Sequence, residues 1–516
     1  MSSLRNERTS KMPEVSNIAA YQGAGRYSDT PPYHPTEPYP EYVFGSSALG
    51  PDNPAYAAVR GALGLLFPHG LGTANWNPLR ELVRPGDTVV LKPNLICDFH
   101  ETRGDDVVSM LTHGSVIRAV LDYVAIALQG QGRVVIADAP QCDASFERLM
   151  AVTGLLTIQS FYREHSPIQV DVIDLRPEYA RKVDGVIVAH SPLPGDPAGY
   201  AVINLGRASE FFPISHTNPR LYGSEYDVNE VTLHHHDDTQ EYLISKTILA
   251  ADVFINLPKM KTHKKVGVTL SLKNLVGING NKNWLPHHRE GVPTTGGDQY
   301  AESGLSERLE HVLLATFKRH FPKLGPLRRH LAGPVKRIGR AVFGDTTTDR
   351  IRSGNWYGND TTWRMVLDLN RALRFGDGAG VLHDQPQRRY FSVVDGVVAG
   401  EGNGPMGSDP RPAGLIVAGL DPLAVDLVCT RIMGFDYHLI PVLSNASNDH
   451  PYPLNVVPHA AIRCNSNVDE YDRLLNQIEG PCLAFRPHFG WIGHIAVTDA
   501  ITPAAPATRQ GPLSAV

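Results

Sequence analysis

The sequence predicts an α/β fold, with a mainly parallel or mixed sheet flanked by helices and interrupted by a long irregular or helical insertion. Two observations predict this fold. Short Val/Ile-rich runs recur along the chain, end at Pro, Asp or Gly, and are too brief for helices. Segments with apolar residues at helical spacing lie between several of these runs, and the order strand, helix, strand is typical of parallel βαβ units.

The first such unit is predicted between residues 86 and 138. The run TVVL is a strand that stops at Pro93, because proline restricts the residue before it and cannot donate to a sheet. A helix opens at Thr112 and His113, and a second strand, VVIA, ends at Asp138. Further strands are predicted in IQVDVIDL, DGVIVAH, AYAVINLG, DVFINLP, RRYFSVVDGVV and AGLIVAG, and further helices from Pro54 onwards and at 148–164, 241–251 and 422–434.

Composition divides the chain into five predicted parts. Residues 1–45 are polar and then rich in Tyr and Pro, which predicts an extended or disordered arm. The α/β core is predicted in two parts, 46–280 and 386–500, separated by a basic insertion at 281–385 that loses the strand rhythm. Residues 501–516 are predicted to be a flexible tail.

Charge and cysteine content exclude several classes of protein. The 516 residues carry a formal net charge of −5, whereas a protein that coats nucleic acid is more basic. The five cysteines form no CxxC pair, which argues against a disulfide scaffold, a zinc ribbon and an iron–sulfur cluster. No apolar run approaches the ~18 residues of a membrane-spanning helix, and the N-terminus has no apolar secretory segment. We therefore expect a cytoplasmic protein that binds no nucleic acid, with its oligomeric state left open.

Polar residues crowd the segment that follows the predicted strand DVFIN. Ligands of open α/β sheets bind beyond the carboxyl ends of the strands, and lysine is a point-charge partner for phosphate or carboxylate. The segment therefore predicts an anion site, in which a lysine with a lowered pKa acts as base or nucleophile. The alternative is a solvated basic loop. The candidate catalytic residues are Lys261, His263 and Lys273, and the candidate ligand-binding residues are Lys259, Thr269 and Asn274.

A second set of candidates follows the strand TVVL. Lys92 and Asn94 flank Pro93 at the end of that strand, so both are predicted to bind the same anion. His113 is a further candidate catalytic residue, because a helix N-terminus favours anions and lowers the pKa of a nearby histidine. The alternative for this position is an N-capping Thr112 beside an incidental histidine.

Acidic residues also follow predicted strands. Asp138 and Asp395 each come directly after an apolar run, and Asp426 lies one helical turn after a predicted N-cap, Asp421. These carboxylates would pair with the lysines or bind a divalent metal, so the metal content stays open. Asn403 lies in the glycine-rich stretch EGNGPMG, which either approaches a phosphate with backbone amides or forms a tight turn.

Several of these motifs together resemble the uncharacterised domain of unknown function 362 family. They are VVLKPNL, the Thr-His-Gly helix start, VVIADAP, FINLPKMKTHKKVGVTLSLKNLVG, VVDGVVAGEGNGPMG and LDPLAVDLVCTRIMGF, in the family's order over residues 85–440. Members often carry a ferredoxin-like iron–sulfur domain, and this sequence lacks the cysteines for one. The resemblance implies a fold and candidate site residues, but no reaction.

Two functions follow from these observations. The first is an enzyme that acts on an anionic small molecule, bearing phosphate or carboxylate, or on a sugar-type substrate. The second is a non-catalytic binding or assembly protein for an anionic polymer or membrane headgroup. It rests on residues 311–344, which contain eight Lys or Arg and no Asp or Glu. A basic face packed against the acidic body of the same protein would explain that stretch equally well.

Overall fold

The computed structural model describes residues 15–183, 186–216, 220–223, 228–302, 350–455, 457–479 and 483–497. The basic stretch 311–344 and the C-terminal tail 501–516 lie outside the described residues. The membrane contact predicted for 311–344 therefore stays a prediction. Among the described residues, no helix is long and apolar enough to cross a membrane.

Seventeen strands lie within the described residues. In chain order, β1 to β9 are Ser16–Gln22, Thr88–Pro93, Arg133–Asp138, Gln169–Asp174, Glu178–Val183, Val186–Pro192, Tyr200–Asn204, Leu221–Tyr222 and His235–His236. Strands β10 to β17 are Thr239–Ser245, Val253–Leu257, Lys259–His263, Gly267–Thr269, His288–Arg289, Arg389–Asn403, Gly407–Gly419 and Ile462–Ser466.

Ten α-helices accompany these strands in the described part of the chain. Helices α1 to α5 are Pro54–Leu66, Gly114–Leu128, Phe146–Val152, Leu155–His165 and Val228–His234. Helices α6 to α10 are Lys246–Leu249, Ser271–Asn274, Thr362–Phe375, Pro422–Met433 and Pro441–Ser444.

The main sheet has ten strands and is mixed, which confirms the predicted α/β class. Its path is β17-β1-β16-β15-β11-β2-β3-β4, and the strands from β15 to β4 run parallel. Strand β12 continues beyond β11 along the same long neighbour, β15, and pairs on its other side with β13. The segment after Pro258 is therefore held at the carboxyl edge of the parallel strands.

The sheet is buried on both faces, as its apolar strands require. Helices α1, α2 and α4 cover one face, where Val89, Leu91 and Ile255 join their core. Helices α8 and α9 cover the other face together with Val90 and Phe254. Because successive side chains of a strand point to opposite faces, this alternation gives a three-layer arrangement.

Two predicted elements differ from the structure. Part of the arm predicted at 1–45 lies in the core, since β1 is located between β16 and β17 in the main sheet. The helix predicted at 241–251 is wrong: β10 ends at Ser245, and only the four residues of α6 are helical. In β10 the buried Tyr242 and Ile244 alternate with more exposed neighbours, which is the period of a strand.

The predicted insertion 281–385 is in part a piece of the core. Helix α8 lies within it, and its apolar residues Met365 and Leu369 are fully buried in the hydrophobic core. The predicted helix 148–164 is divided into α3 and α4 at Gly154, which has the left-handed backbone (φ 69°) that glycine adopts most readily.

Candidate functional site

The first element of the site is a buried ion pair between neighbouring parallel strands. Lys92 is the last residue but one of β2, and Asp138 is the last residue of β3. The Lys92 Nζ and Asp138 Oδ1 atoms are 2.7 Å apart, and both side chains are at most 4% exposed. The Lys92 ammonium also donates to Asn274 Oδ1 (3.2 Å). Burial lowers the pKa of Lys92, and the charge of Asp138 opposes that shift. The pair therefore fixes the end of two strands and leaves little free charge.

Gly277 lies directly against this pair. A Cβ atom at this position would be 1.9 Å from Asp138 Oδ1 and 2.6 Å from Lys92 Nζ. The backbone carbonyl of Gly277 accepts a hydrogen bond from Ala139 N (2.8 Å), so the segment after α7 is tied to the end of β3. Glycine is required here because the backbone passes within contact distance of a buried ion pair.

The second element is another buried pair, Lys259 and Asp395, with Nζ and Oδ2 3.2 Å apart. The hydroxyl of Tyr27 donates to Asp395 Oδ1 (2.6 Å) and accepts from Lys259 Nζ (2.7 Å). The backbone amide of His113 donates to Asp395 Oδ2 (2.9 Å), and the ring of His113 stacks on Tyr27 with centroids 3.9 Å apart. This network holds the N-terminal segment onto the carboxyl edge of the sheet.

We predict that Tyr27→Phe lowers the free energy of unfolding by about 1.5–3 kcal/mol, the range for hydrogen bonds to charged groups. The phenyl ring keeps the stacking on His113, whereas the bonds to Lys259 and Asp395 are lost. Urea denaturation measures the change. The matched control is Tyr39→Phe, because the Tyr39 hydroxyl makes no hydrogen bond with the described residues; equal losses in the two variants would contradict the prediction.

The third element is the face of β12 that carries Lys261 and His263. Side chains two residues apart share a face of a strand, and Lys261 lies opposite Thr269 in the ladder with β13, so these side chains project together. Lys261 is fully buried, and its ammonium donates to the carbonyl of Met110 (2.6 Å). The buried Thr269 hydroxyl has no hydrogen-bond partner within the described residues.

His263 is a neutral imidazole in this environment. Burial, followed by the charge of Lys273, holds its pKa well below the usual value. Its Nδ1 accepts a hydrogen bond from the amide of Lys265 (3.0 Å), so a neutral ring carries its proton on Nε2. His263 is thus suited to donate a hydrogen bond rather than to supply a positive charge.

Lys273 interacts electrostatically with several titratable groups of the site. Its charge lowers the pKa values of four neighbouring groups, and burial followed by the charge of Lys92 lowers its own pKa to about 8. It makes no hydrogen bond or ion pair with the residues that the structure describes, and the residue as a whole is intermediate in exposure. The four groups are Lys261, His263, Lys282 and His287.

Two neighbours fix the helix that carries Lys273. The carboxylate of Asp426 accepts from the amides of Ser271 (2.7 Å) and Leu272 (2.8 Å) and so caps the first turn of α7. At the other end of α7, its last residue, Asn274, donates to Asn256 Oδ1 (2.7 Å). Asp426, a candidate ligand-binding residue by sequence, is therefore placed as a residue that positions this helix.

The remaining candidates lie at the margins. Asn94 exchanges hydrogen bonds with Thr112, and His113 caps α2 by accepting from the amide of Ser115 (3.1 Å). Asn403 is the last paired residue of the β15–β16 hairpin, so EGNGPMG forms a hairpin tip whose Gly402 amide already bonds to Arg486 O.

Each of the three aspartates has a different partner. Asp138 pairs with Lys92, Asp395 with Lys259, and Asp426 with backbone amides. In the described ranges, no group of three or more His, Cys, Asp or Glu is arranged to hold a metal ion.

Sequence reasoning did not identify Tyr27, Asn256, Gly277 or Lys282 as part of this site. Asn256 carried a usable signal, since it is a polar residue at the buried end of β11. Lys282 is buried and donates to the carbonyls of Val276 and Asn279. No local pattern marks Tyr27, because Tyr27 and Asp395 are hundreds of residues apart in the sequence and only the tertiary fold brings them together.

Comparison with known proteins identifies the central part of the chain. Residues 178–431 match the family model of a domain of unknown function, DUF362. This segment belongs to the DUF362 family. It includes β12, α7 and Asp395, whereas Lys92 and Asp138 precede it, so the residues of the candidate site extend beyond the matched DUF362 segment.

Two individual proteins are similar to parts of the chain. The thylakoid-associated protein sll1697 of Synechocystis sp. is 26% identical over 208 residues, which are 40% of this chain and 40% of that protein. The chain thus spans less than half of this relative's length. A crystal structure of a protein from Thermotoga maritima superposes with a TM-score of 0.31 at 11% identity, covering 73% of this chain and 58% of the other.

Proposed function

We propose that this protein is an enzyme acting on a small molecule that bears a phosphate or carboxylate group, including sugar-type substrates, and that the anion binds between Lys261 and Lys273. The observation that supports the proposal most strongly is an imbalance of charge. Lys92 and Lys259 each have a buried carboxylate partner, whereas Lys261 and Lys273 have none among the described residues. Buried like charges repel one another, and a bound anion relieves that repulsion.

Neutral donors support the same proposal. The Thr269 hydroxyl shares a face with Lys261 and has no partner in the described part of the chain, and His263 carries a proton on Nε2. An oxyanion needs directional donors as well as positive charge, since each of its oxygens accepts more than one hydrogen bond. The intermediate exposure of Lys273 supports the access of a small anion to this residue.

We predict that Lys261→Met and Lys273→Met each weaken the binding of inorganic phosphate by about tenfold or more, because a hydrogen bond to a charged group contributes about 1.5–3 kcal/mol. Isothermal titration calorimetry with phosphate, sulfate and citrate measures the affinities. The matched control is Lys246→Met. Lys246 is also half-buried, but it begins α6 and lies outside the segment from β12 to α7 that forms the proposed anion site.

Affinity for phosphate should also depend on pH in a defined direction. The protonated form of Lys273 binds the anion, and its pKa is about 8, so affinity is high below that pH and falls as the pH rises through it. The proposal is contradicted if a folded protein binds none of the three anions, or if Lys246→Met weakens binding as much as Lys273→Met.

The cytoplasmic location predicted from the sequence stays part of this proposal. The alternative function, binding of an anionic polymer or membrane by residues 311–344, rests on a segment outside the described residues and gains no support from the geometry of the site.

A further inference from the structure

Lys273 has the position of a reactive amine rather than that of a structural lysine. Structural lysines of this site satisfy their ammonium groups: Lys92 and Lys259 pair with aspartates. Lys273 makes no such contact with the described residues, although the helix that bears it is tied down at both ends by Asp426 and Asn274. A fixed backbone with an unpaired amine keeps the nitrogen lone pair accessible once the proton is lost.

The surroundings of Lys273 favour the neutral amine. Lys92 and Lys261 lie close enough for their charges to interact with that of Lys273, and the nearby His263 is neutral. A lysine that is desolvated or placed beside another cation becomes a nucleophile near neutral pH. The same cations attract an anionic substrate, so the site combines an anion clamp with an amine that can attack.

We propose that Lys273 forms an imine with the carbonyl carbon of an anionic aldehyde or 2-oxo acid, whose negative charge is held by Lys261 and its neighbours. This inference rests on the proposed function and names its substrate class. The lone pair of the neutral amine forms a C–N bond, and the carbonyl π electrons move to oxygen. The C–O bond then breaks, and the oxygen leaves as water with the two protons of the amine. The balance needs no oxidant or reductant.

The probe for this reaction is pyridoxal 5′-phosphate, an aldehyde that carries a phosphate group. The protein is incubated with the probe, reduced with borohydride to fix any imine as a secondary amine, and digested for peptide mass spectrometry. We expect the adduct predominantly on Lys273, with at least about tenfold less in the presence of saturating phosphate. Pyridoxal, which lacks the phosphate, should label Lys273 more slowly.

The variant Lys273→Arg separates charge from nucleophilicity. Arginine keeps the positive charge, but it is not deprotonated in proteins and forms no imine under these conditions. We therefore expect Lys273→Arg to bind phosphate and to lose the protected adduct, and Lys246→Arg to keep both. If arginine does not fit, Lys273→Gln removes charge and amine together, and the adduct should then be absent even at a probe concentration that saturates the weakened site; circular dichroism verifies that each variant is folded.

The pH dependence gives an independent readout. Imine formation needs the neutral amine, so the initial labelling rate should rise as the pH passes through about 8, whereas phosphate affinity falls over the same interval. Phosphate binding without a protected adduct on Lys273 would overturn the imine alone. Failure of the wild-type protein to bind phosphate would overturn the proposed function, and labelling spread over surface lysines without phosphate protection would overturn the imine as well.

Discussion

Asp138→Ala is expected to lower the free energy of unfolding by about 3–5 kcal/mol, the cost of leaving one charge of a buried pair without its partner. The Lys92 side chain is 1% exposed, and the variant removes the carboxylate that lies 2.7 Å from its Nζ in the wild-type protein. Its neighbours Lys261, Lys273 and Lys282 are cationic or carry lowered pKa values, so they offer no replacement. Equilibrium unfolding in guanidinium chloride measures the loss.

The double variant Lys92→Met/Asp138→Ala tests the cause. If the unpaired lysine is responsible, the double variant loses less stability than the sum of the two single variants. The control is Asp238→Ala, which breaks the exposed pair with Arg207 and should change stability by less than about 1 kcal/mol. A loss of that size for Asp138→Ala as well would contradict the prediction.

The sign of a pH effect follows from the same pair. Without Asp138 the pKa of Lys92 in the folded state falls further below its value in the unfolded chain, because burial lowers it and the opposing carboxylate is gone. Between these two pKa values the unfolded chain binds more protons, so the stability of Asp138→Ala rises with pH. The deficit relative to the wild type should therefore shrink in alkaline buffer.

The fold was predictable wherever strands are short and uniformly apolar. Strands β2, β3 and β11 are such runs, and each ends where proline or a polar residue follows. The error at 241–251 has the opposite cause: the apolar residues of β10 continue into α6, and a short apolar run does not distinguish a strand from a buried helix. Pairing with β7 makes residues 239–245 a strand, and local sequence does not show such pairing.

The sequence was enough to predict where the candidate site lies in the sheet, but not which of its side chains form ion pairs and hydrogen bonds with one another. The rule that parallel strands end at one edge was enough to expect Lys92 near Asp138, which the structure places in one ion pair. The same rule cannot tell which lysines are neutralised. Lys259 is satisfied by Asp395 and Tyr27, whereas Lys273 is not paired within the described residues, and that difference arises from long-range packing. Asp426 shows the same limit, since its carboxylate caps a helix 155 residues away.

Gly277→Ala is expected to destabilise the protein by about 1–3 kcal/mol or more, the cost of overfilling a packed interior. The added methyl group would overlap Asp138 Oδ1 at 1.9 Å and the Lys92 side chain at 2.6 Å and 2.8 Å. Neither group can move away freely, since Asp138 also accepts from Leu95 N (2.8 Å) and Lys92 donates to Pro93 O (2.8 Å). Thermal and denaturant unfolding both report the change.

The matched control is Gly378→Ala, because a Cβ atom at Gly378 meets nothing within 4 Å and its backbone is not left-handed. This substitution should be neutral, or stabilising by about 0.4–1 kcal/mol through the unfolded chain. The decisive comparison is Gly277→Ala made in the Asp138→Ala background, where the nearest atom of the clash is absent. If close approach to the ion pair is the reason for glycine, the added methyl costs less there than in the wild type. An equal cost in both backgrounds would place the requirement for glycine in the backbone of the segment after α7 instead.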